Sequence, residues 1–502
     1  MFVTLDGQGP LHRQVYRALR SEILSRRLGP GARLPSTRRL AATLGVSRNV
    51  AMLAYEQLLD EGYAQARSGS GTIVAPTLPE DWGTTVVTAG SGGRSLAALV
   101  QPRLSRAGDR AVEVVGAGRV YRDAHPRRAS YDFRAGRPSF GDFPRTVWCR
   151  LLGRRARSAS WRDLDYGPPE GRRELREALA ERLRRVRGIE TTPRQVVIVN
   201  GSQQALDLIT RVLVDPGDRV LIEEPHYLGA RQAFMAGGAE LVPAPVDGDG
   251  MQVPRPLAGR RAPRLAYVTP SHQFPTGVVL PLPRRLELLD WAVRSGAFVV
   301  EDDYDSEYRY AGRPLQALAG LDAHGRVIYV GTFSKLMFPA LRLGYLVLPE
   351  ALVDPVVAAK NLADTGSPSL EQLTLADFIR EGHLDRHLHR SIARNASRRA
   401  ALLEAVRDHF GARAEISGTA TGLHVLVWLR DHRGQPIASL ARKAEAAGVA
   451  VYPVAPFYLR PPRRSGVLLG YGPLSERQIR DGVARLAAAL DRDSSAGRGE
   501  KP

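Results

Sequence analysis

The chain has 502 residues, of which 43% are hydrophobic, so it is long enough for two or three domains with large cores. A formal net charge of +19 favours polyanionic partners such as DNA, RNA or an anionic membrane surface, although arginines spread along the whole chain leave a general compositional bias equally open. The single cysteine excludes an intramolecular disulfide, and no apolar run approaches the roughly 20 residues of a membrane span. Residues 1–20 lack a signal-peptide pattern, so we expect a cytoplasmic protein without a membrane partner.

Residues 1–75 are predicted to form a winged helix-turn-helix. A helical pattern over residues 11–28 precedes two short helices, for which Ser36 and Ser47 are suitable N-cap residues. Two short strand-like runs around a Gly/Ser turn follow within residues 64–75, as a wing would. The second short helix is then the one that reads DNA.

Polar residues at the start of that helix are the candidates for base contacts, because helix N-terminal residues meet base edges in the major groove. The order PGxRLPSxRxLAxxLGVSRxxxxxAYxxLxxEGY, followed by the wing, resembles the GntR superfamily over residues 11–74. The resemblance implies DNA contacts from Arg38, Arg48, Ser68 and Gly69, while neighbouring arginines are candidates for phosphate contacts. The predicted DNA-binding residues are Arg33, Arg38, Ser47, Arg48, Asn49, Arg67, Ser68 and Gly69.

Residues 76–130 contain no sustained helix or strand pattern beyond a weak one near residues 96–104, and we expect an interdomain linker. A partly ordered extension that packs on the larger domain is the alternative. Residues 492–502 are expected to be a disordered tail, since they are short, polar and terminal.

The segment Gly331–Tyr345, GTFSKLMFPALRLGY, follows a short apolar run that predicts a buried strand. Only four of the 71 basic residues are lysine, and Lys335 is one of them. An amine can lose its proton and form an imine with an aldehyde, whereas a guanidinium stays protonated. Lys335 is therefore a candidate for covalent chemistry, although a surface lysine in a loop is the alternative.

Acidic residues crowd the carboxyl end of another predicted strand, at Glu301, Asp302, Asp303 and Asp305. A buried carboxylate there needs a cation or a protonated ring nitrogen. Pyridoxal phosphate (PLP) requires such a carboxylate, an imine-forming lysine and phosphate donors. A metal site or a solvated loop would explain the acidic cluster but not Lys335, so no metal is expected.

These motifs together resemble the fold-type I PLP-dependent aminotransferases, from about residue 131 to residue 490. The resemblance implies an α/β fold in residues 131–491, with a mixed, mostly parallel sheet between helices and a small C-terminal α+β domain. It implies that Lys335 binds PLP covalently, Asp302 holds the pyridine nitrogen, Tyr304 donates to the ring hydroxyl and Tyr227 stacks on the ring. Further implied cofactor-binding residues are Thr332 and Arg342 at the phosphate and Tyr166 of a neighbouring subunit. Gly201, Ser202 and Gln203 are candidates on other grounds, because they stand at the predicted N-terminus of a helix, where backbone N–H groups bind phosphate; a purely structural strand-turn-helix is the alternative.

Two positions depart from the aminotransferase pattern. Phe274 stands where an asparagine usually contacts the ring hydroxyl, and His272 or Gln273 is the expected substitute. Leu468 stands where an arginine usually grips the substrate carboxylate, with Arg463 and Arg464 just upstream as candidates to compensate, although surface charges are an equally good interpretation.

A GntR-type winged helix joined to an aminotransferase-like domain resembles the MocR-type regulators, including the PdxR-like ones. The resemblance implies a homodimer, domain-swapped and head-to-tail, that binds a double-stranded DNA operator and controls PLP synthesis or a related amino-compound pathway. PLP is then the ligand, or the handle for an amino-containing effector. Because Leu468 removes the carboxylate clamp, we expect PLP itself to be the effector and transamination to be slow. An active aminotransferase with an attached DNA-binding domain is the alternative.

Overall fold

The chain folds into two compact units, residues 1–103 and residues 104–502. Within the part of the chain that the computed structural model describes, no helix has the length and apolar character needed to cross a bilayer. The described residues are 4–67, 71–79, 104–123, 129–256, 259, 262–312, 315–430, 437–460, 462 and 464–496.

The N-terminal unit is a winged helix, which confirms that prediction. The Ser36 and Ser47 side chains cap the two short helices by accepting hydrogen bonds from the backbone N–H groups of Arg39 and Val50, both at 3.3 Å. Gly45 ends the first of them in the left-handed conformation, with φ of 66°. The elements are α1 (Leu11–Leu24), α2 (Thr37–Leu44), α3 (Arg48–Asp60), and the antiparallel wing strands β1 (Ala64–Arg67) and β2 (Gly71–Val74).

A helix, α4 (Arg106–Asp123), lies inside the segment that the sequence indicated as a linker. It packs on the helix Leu228–Gly237, and Arg110 Nε donates to the carbonyl oxygen of Ala236 at 3.2 Å. The expectation of a linker is therefore wrong for residues 106–123, and this stretch agrees with the alternative of an extension packed on the larger domain. Three glycines and several exposed positions in the helix obscure its apolar periodicity.

The large unit is built on an eight-stranded, mostly parallel sheet in the order β4-β11-β10-β9-β8-β5-β6-β7, in which β11 and β7 run antiparallel to their neighbours. Buried side chains on both faces pack against helices, as expected for a doubly covered parallel sheet. The strands are β3 (Tyr131–Asp132), which pairs outside this sheet, β4 (Val196–Val199), β5 (Arg219–Glu224), β6 (Glu240–Asp247), β7 (Gly250–Met251), β8 (Leu265–Val268), β9 (Phe298–Asp303), β10 (Val327–Thr332) and β11 (Gly344–Val347).

Helices cover this sheet and continue into the C-terminal part. They are α5 (Arg145–Ser158), α6 (Trp161–Leu164), α7 (Arg173–Arg187), α8 (Ser202–Leu213), α9 (Leu228–Gly237), α10 (Leu282–Ser295), α11 (Leu318–Leu321), α12 (Glu350–Asp364), α13 (Ser369–Arg380) and α14 (His383–Phe410).

A smaller α+β part completes the large unit, with an antiparallel sheet in the order β12-β13-β16-β15. Its last helix runs to Ala496, so the expected tail is helical through that residue, and residues 497–502 lie outside the described part. The elements are β12 (Ala414–Ser417), β13 (His424–Leu429), α15 (Ile437–Ala446), β14 (Val449–Ala450), β15 (Tyr452–Pro453), β16 (Ser465–Gly470) and α16 (Glu476–Ala496).

Candidate functional site

A cavity of about 400 Å³ lies at the carboxyl ends of the central parallel strands, where α/β sheets usually bind ligands. Eight of the ten predicted cofactor-site residues line it, although they come from distant parts of the chain. These residues are Ser202, Gln203, Tyr227, Asp302, Tyr304, Thr332, Lys335 and Arg342.

Asp302 is the acidic residue that faces this cavity. Its Oδ2 accepts a hydrogen bond from Tyr267 Oη at 2.7 Å, while its buried Oδ1 has no partner among the described residues. Burial raises the pKa of Asp302 to about 7, against the lowering effects of the Tyr267 hydrogen bond and the Lys335 charge. An orphaned carboxylate oxygen in a buried site is what a protonated ring nitrogen would satisfy.

The other acidic residues of the cluster have structural partners. Glu301 accepts the backbone N–H groups of Leu318 at 2.9 Å and Ala319 at 2.8 Å, and Asp303 pairs with Arg187 at 2.6 Å. Side chains alternate along a strand, so Glu301 and Asp303 in β9 point away from the face that carries Asp302. The solvated-loop alternative is therefore wrong for these strand residues.

Lys335 lines the same cavity, and its Nζ makes no hydrogen bond to a described residue. Removal from solvent lowers the pKa of Lys335, although the charges of Asp305 and Asp302 oppose this shift. Gly136, at φ of 71°, lies against the amine: a Cβ there would stand 3.1 Å from Lys335 Nζ. The lowered pKa increases the fraction of neutral, nucleophilic amine relative to an exposed lysine.

One part of the cavity offers donors that suit a phosphate-sized anion. Ser202 and Gln203 begin α8, whose first backbone N–H groups and dipole attract negative charge. Arg342, itself in the left-handed conformation with φ of 52°, donates to the carbonyl oxygen of Asn200. A Cβ on Gly201 would stand 3.1 Å from an Arg342 Nη, so glycine leaves room for this guanidinium.

Aromatic side chains complete the walls. Tyr227 and Phe274 make an edge-to-face contact with ring centroids 5.8 Å apart. A Cβ on Gly229 would stand 2.4 Å from Tyr227 Cε1, so this position admits only glycine without a shift of the tyrosine. Tyr227 thus forms an aromatic part of the cavity wall that Gly229 leaves room for.

His272 does not line the cavity. The prediction that His272 contacts the ring hydroxyl of PLP directly is therefore wrong. Its Nδ1 lies 3.1 Å from Asp305 carboxylate oxygens and 2.9 Å from Tyr304 Oη, which also donates to the His272 carbonyl oxygen at 2.8 Å. Gln273 is buried, donating to the carbonyl oxygen of Pro225 at 2.7 Å, and is also absent from the cavity wall. His272 instead orients Tyr304.

Three further predictions concern the contact with a second subunit and the binding of a substrate carboxylate. Tyr166 is 86% exposed and does not line the cavity, so its predicted role depends on a second subunit. Leu468 is fully buried in β16. Arg464 pairs with Glu415 at 2.6 Å, which corrects its candidacy as the missing clamp, and Arg463 lies outside the described residues.

Arg134 also lines the cavity, and the sequence analysis missed it. It belongs to the segment YDFRAGRP, residues 131–138, which precedes the large sheet. The available signal was the segment as a whole, which resembles the aminotransferase segment that edges the active site.

The N-terminal unit carries a second candidate site, the exposed surface around the start of α3. Ser47, Arg48 and Asn49 are exposed at the start of α3, as predicted. The four predicted arginines, Arg33, Arg38, Arg48 and Arg67, are exposed, and none of them pairs with an acidic residue of the described chain. Ser68 and Gly69 lie outside the described residues.

The raised pKa of Asp302 leads to a prediction for the protein without cofactor. The folded pKa of about 7 exceeds the ordinary 3.8, so this carboxyl favours folding below about pH 4 and loses that contribution as the pH rises through 7. Asp302→Asn, which stays neutral, should therefore unfold at a higher temperature than wild type at about pH 8, with the difference shrinking towards about pH 5. Melting curves of both proteins between about pH 5 and pH 8 test this prediction. If the melting temperatures of the two proteins change in parallel with pH, the prediction is contradicted. Asp249→Asn, on an exposed turn, is the control.

Two protein families match the chain. "Aminotransferase class I and II" matches residues 144–466, and "Bacterial regulatory proteins, gntR family" matches residues 11–74. The probable rhizopine catabolism regulatory protein MocR of Rhizobium meliloti is 41% identical, covering 98% of this chain and 99% of its own length. The pyridoxine biosynthesis transcriptional regulator PdxR of Corynebacterium glutamicum is 29% identical, covering 92% of each chain.

Among solved structures, the chain is similar to LysN, the alpha-aminoadipate aminotransferase of Thermus thermophilus, crystallised with N-(5'-phosphopyridoxyl)-L-leucine. The TM-score is 0.69 at 30% identity, covering 78% of this chain and 98% of that one. The residues around the cavity fit the same kind of group: a carboxylate oxygen and a lysine amine that have no hydrogen-bond partner among the described residues, a helix N-terminus with an arginine, and a tyrosine in the wall.

Proposed function

Because the chain belongs to the MocR-type regulators, in which a GntR-family winged helix is joined to an aminotransferase class I and II domain, we propose that cofactor occupancy of the large unit controls DNA binding. The chain is a DNA-binding transcription regulator whose second domain has a PLP-dependent fold. The observation that supports the proposal is that one chain carries a cavity lined by Lys335, Asp302 and Arg342 together with exposed arginines on the winged helix that pair with no acidic residue of the described chain.

PLP, when bound, supplies an aldehyde carbon that reacts with amines and a ring that withdraws electrons. Lys335 provides the amine for covalent attachment, and its lowered pKa keeps a neutral fraction available. Asp302 holds a proton at the ring nitrogen through its orphaned Oδ1. Arg342 and the first turn of α8 bind the phosphate, and Tyr227 orients the ring.

The genes under control are proposed to serve PLP synthesis or the use of an amino compound. The regulator named for rhizopine catabolism is 41% identical to this chain, whereas PdxR is 29% identical. The similarities therefore support control of the use of an amino compound more than control of PLP synthesis. We further propose a cytoplasmic homodimer, domain-swapped and head-to-tail, in which the exposed Tyr166 reaches the cofactor phosphate of its partner. The winged helix spans residues 1–75 in this proposal.

Footprinting of DNA upstream of the gene and its neighbours, with purified protein loaded with PLP or stripped of it, tests this function. We expect a protected site whose protection changes with cofactor loading, because a ligand shifts an equilibrium between two states when it binds them unequally. Absence of any protected site at either loading contradicts the proposal.

An active aminotransferase is a second candidate, favoured by the intact combination of Lys335, Asp302 and Arg342. Absorbance of the bound cofactor after addition of amino acids, measured together with DNA binding, distinguishes the two candidate functions. Rapid conversion of the bound cofactor to its amine form by one amino acid, together with DNA binding that ignores the cofactor, favours the enzyme.

A further inference from the structure

We propose that the ion pair of Lys360 and Asp364 positions the turn of residues 200–204, at the start of α8, for binding the cofactor phosphate. Neither residue of the pair lines the cavity, so both are positioning residues that act on the cofactor through the turn. The proposal rests on the proposed function, because it takes the cavity to hold PLP. It gives a role to a fully buried cation that covalent attachment of the cofactor does not use.

The ion pair is fixed on the side of α12. Lys360 is fully buried, and a buried ammonium is costly unless acceptors surround it. Its Nζ donates to Asp364 Oδ1 at 2.8 Å, to Asp364 Oδ2 at 3.0 Å and to Ser367 Oγ at 3.2 Å. Asp364 Oδ1 also accepts the backbone N–H of Gly366 at 3.1 Å. The ammonium therefore has three acceptors, and the carboxylate is held in one orientation.

The same carboxylate holds both ends of the turn that begins α8. Asp364 Oδ2 accepts hydrogen bonds from Gln204 Nε2 at 2.7 Å and from Asn200 Nδ2 at 3.2 Å. Gln204 Oε1 in turn accepts the backbone N–H of Asn200 at 2.7 Å. Asp364 thus connects two residues of the turn from a position 160 to 164 residues further along the chain.

The turn carries the groups that suit a phosphate. Gly201 lies between the two connected residues at φ of 89°, and α8 begins directly after it at Ser202. The conformation of this turn sets the directions of the first backbone N–H groups of α8. Arg342 donates to the carbonyl oxygen of Asn200, so the candidate phosphate arginine contacts a residue that Asp364 also holds. The helix N-terminus and Arg342 therefore share one anchor behind the cavity wall.

Charge explains why this anchor includes a buried lysine. An unpaired carboxylate behind the turn would repel a phosphate dianion, and apolar surroundings would strengthen the repulsion. Leu206 of α8 and Val356 of α12 belong to one buried apolar core, so the two helices exclude water where they meet. Lys360 balances the charge of Asp364, while the carboxylate still accepts hydrogen bonds from the turn.

The test compares PLP with pyridoxal, which has the same ring and aldehyde but no phosphate. Titration of the stripped full-length protein by visible absorbance gives a Kd for each compound. The ratio of the pyridoxal Kd to the PLP Kd measures the contribution of the phosphate, and wild type should bind PLP more tightly. A residue that only stabilises the fold changes the melting temperature, which is recorded alongside, but leaves this ratio unchanged.

The double variant Lys360→Met/Asp364→Leu removes the anchor without changing the net charge, and apolar replacement of a buried ion pair is often tolerated. It should lower the ratio by roughly ten- to hundredfold, the usual effect of losing a hydrogen bond to a charged group. Gln204→Met keeps the ion pair and removes only the hydrogen bonds of one side chain, and it should lower the ratio in the same direction. If the double variant does not fold, Gln204→Met decides.

Asp207→Asn is the matched control. Asp207 pairs with Arg211 at 2.8 Å on the same helix, and its side chain makes no hydrogen bond to the turn in the described part of the chain. This variant should keep the wild-type ratio.

Two kinds of outcome contradict the proposal in different ways. If the folded anchor variants keep the wild-type ratio, or if wild type binds PLP no more tightly than pyridoxal, this inference is overturned while the proposed function stands. If wild type binds neither compound, both the proposed function and this inference are overturned.

Discussion

Lys335→Ala is expected to abolish covalent attachment of PLP, the largest effect of any substitution considered. Purified wild type should be yellow, and borohydride should fix the cofactor to a single peptide containing Lys335. The reason is geometric and electrostatic: Lys335 Nζ lies in the cavity without a hydrogen-bond partner in the described chain, and burial lowers its pKa. The variant should keep some cofactor noncovalently, because Arg342 and the α8 N-terminus remain.

Peptide mapping after borohydride reduction distinguishes Lys335 from the other three lysines of the chain. Lys360 is the important comparison, since it is fully buried but donates to Asp364 Oδ1 at 2.8 Å and to Ser367 Oγ at 3.2 Å. An ammonium held in this way is unavailable as a nucleophile. Label on Lys360 instead of Lys335 would contradict the account of the cavity.

Arg48→Ala is expected to cost about 1–3 kcal/mol of sequence-specific DNA binding, the usual value of one bidentate base contact. Arg48 is the first residue of α3, directly after the Ser47 cap, and it is exposed and unpaired among the described residues. Because the Ser47 cap and the helix core are untouched, folding should be unaffected. Competition between the operator and random DNA measures the loss as a fall in the preference ratio.

Arg33→Ala provides the contrast. The Arg33 guanidinium lies near the start of the second wing strand, within 3.7 Å of a Cβ built on Gly71, where a phosphate contact is expected. Its removal should weaken specific and random DNA binding alike and reduce the salt slope by roughly one. If Arg48→Ala leaves the operator preference unchanged, α3 is not the reading helix.

Local signals made the winged helix predictable. Ser36 and Ser47 cap through contacts only three residues away, and a glycine at position 45 adopts the left-handed conformation that ends a helix. The helix α4 escaped notice because its glycines and exposed valines blur the apolar stripe, and its packing partner α9 lies more than 100 residues away.

In the cofactor cavity, residue identity was predictable where one motif carries one role, as for Lys335 and Asp302. Successive side chains of a strand point to opposite faces, so once β9 is known, Asp302 faces the cavity while its neighbours Glu301 and Asp303 point away from it. The resemblance suggested His272 as a contact to the ring hydroxyl, whereas its ring contacts Asp305, 33 residues later, a partner that local sequence does not indicate. Arg134 was missed for the same reason, since its anchor Tyr452 is 318 residues distant. Long-range hydrogen bonds decide where such side chains point.

The central claim is that cofactor occupancy sets DNA affinity, and an equilibrium titration of a labelled operator by fluorescence anisotropy tests it most directly. PLP-loaded protein, stripped protein and Lys335→Ala are compared at one salt concentration, with no amino acid present. The account predicts that the operator Kd differs between loaded and stripped wild type by about 5- to 150-fold, the usual range of coupling between two sites. Equal Kd values for the two forms, with PLP occupancy verified by absorbance, would contradict it.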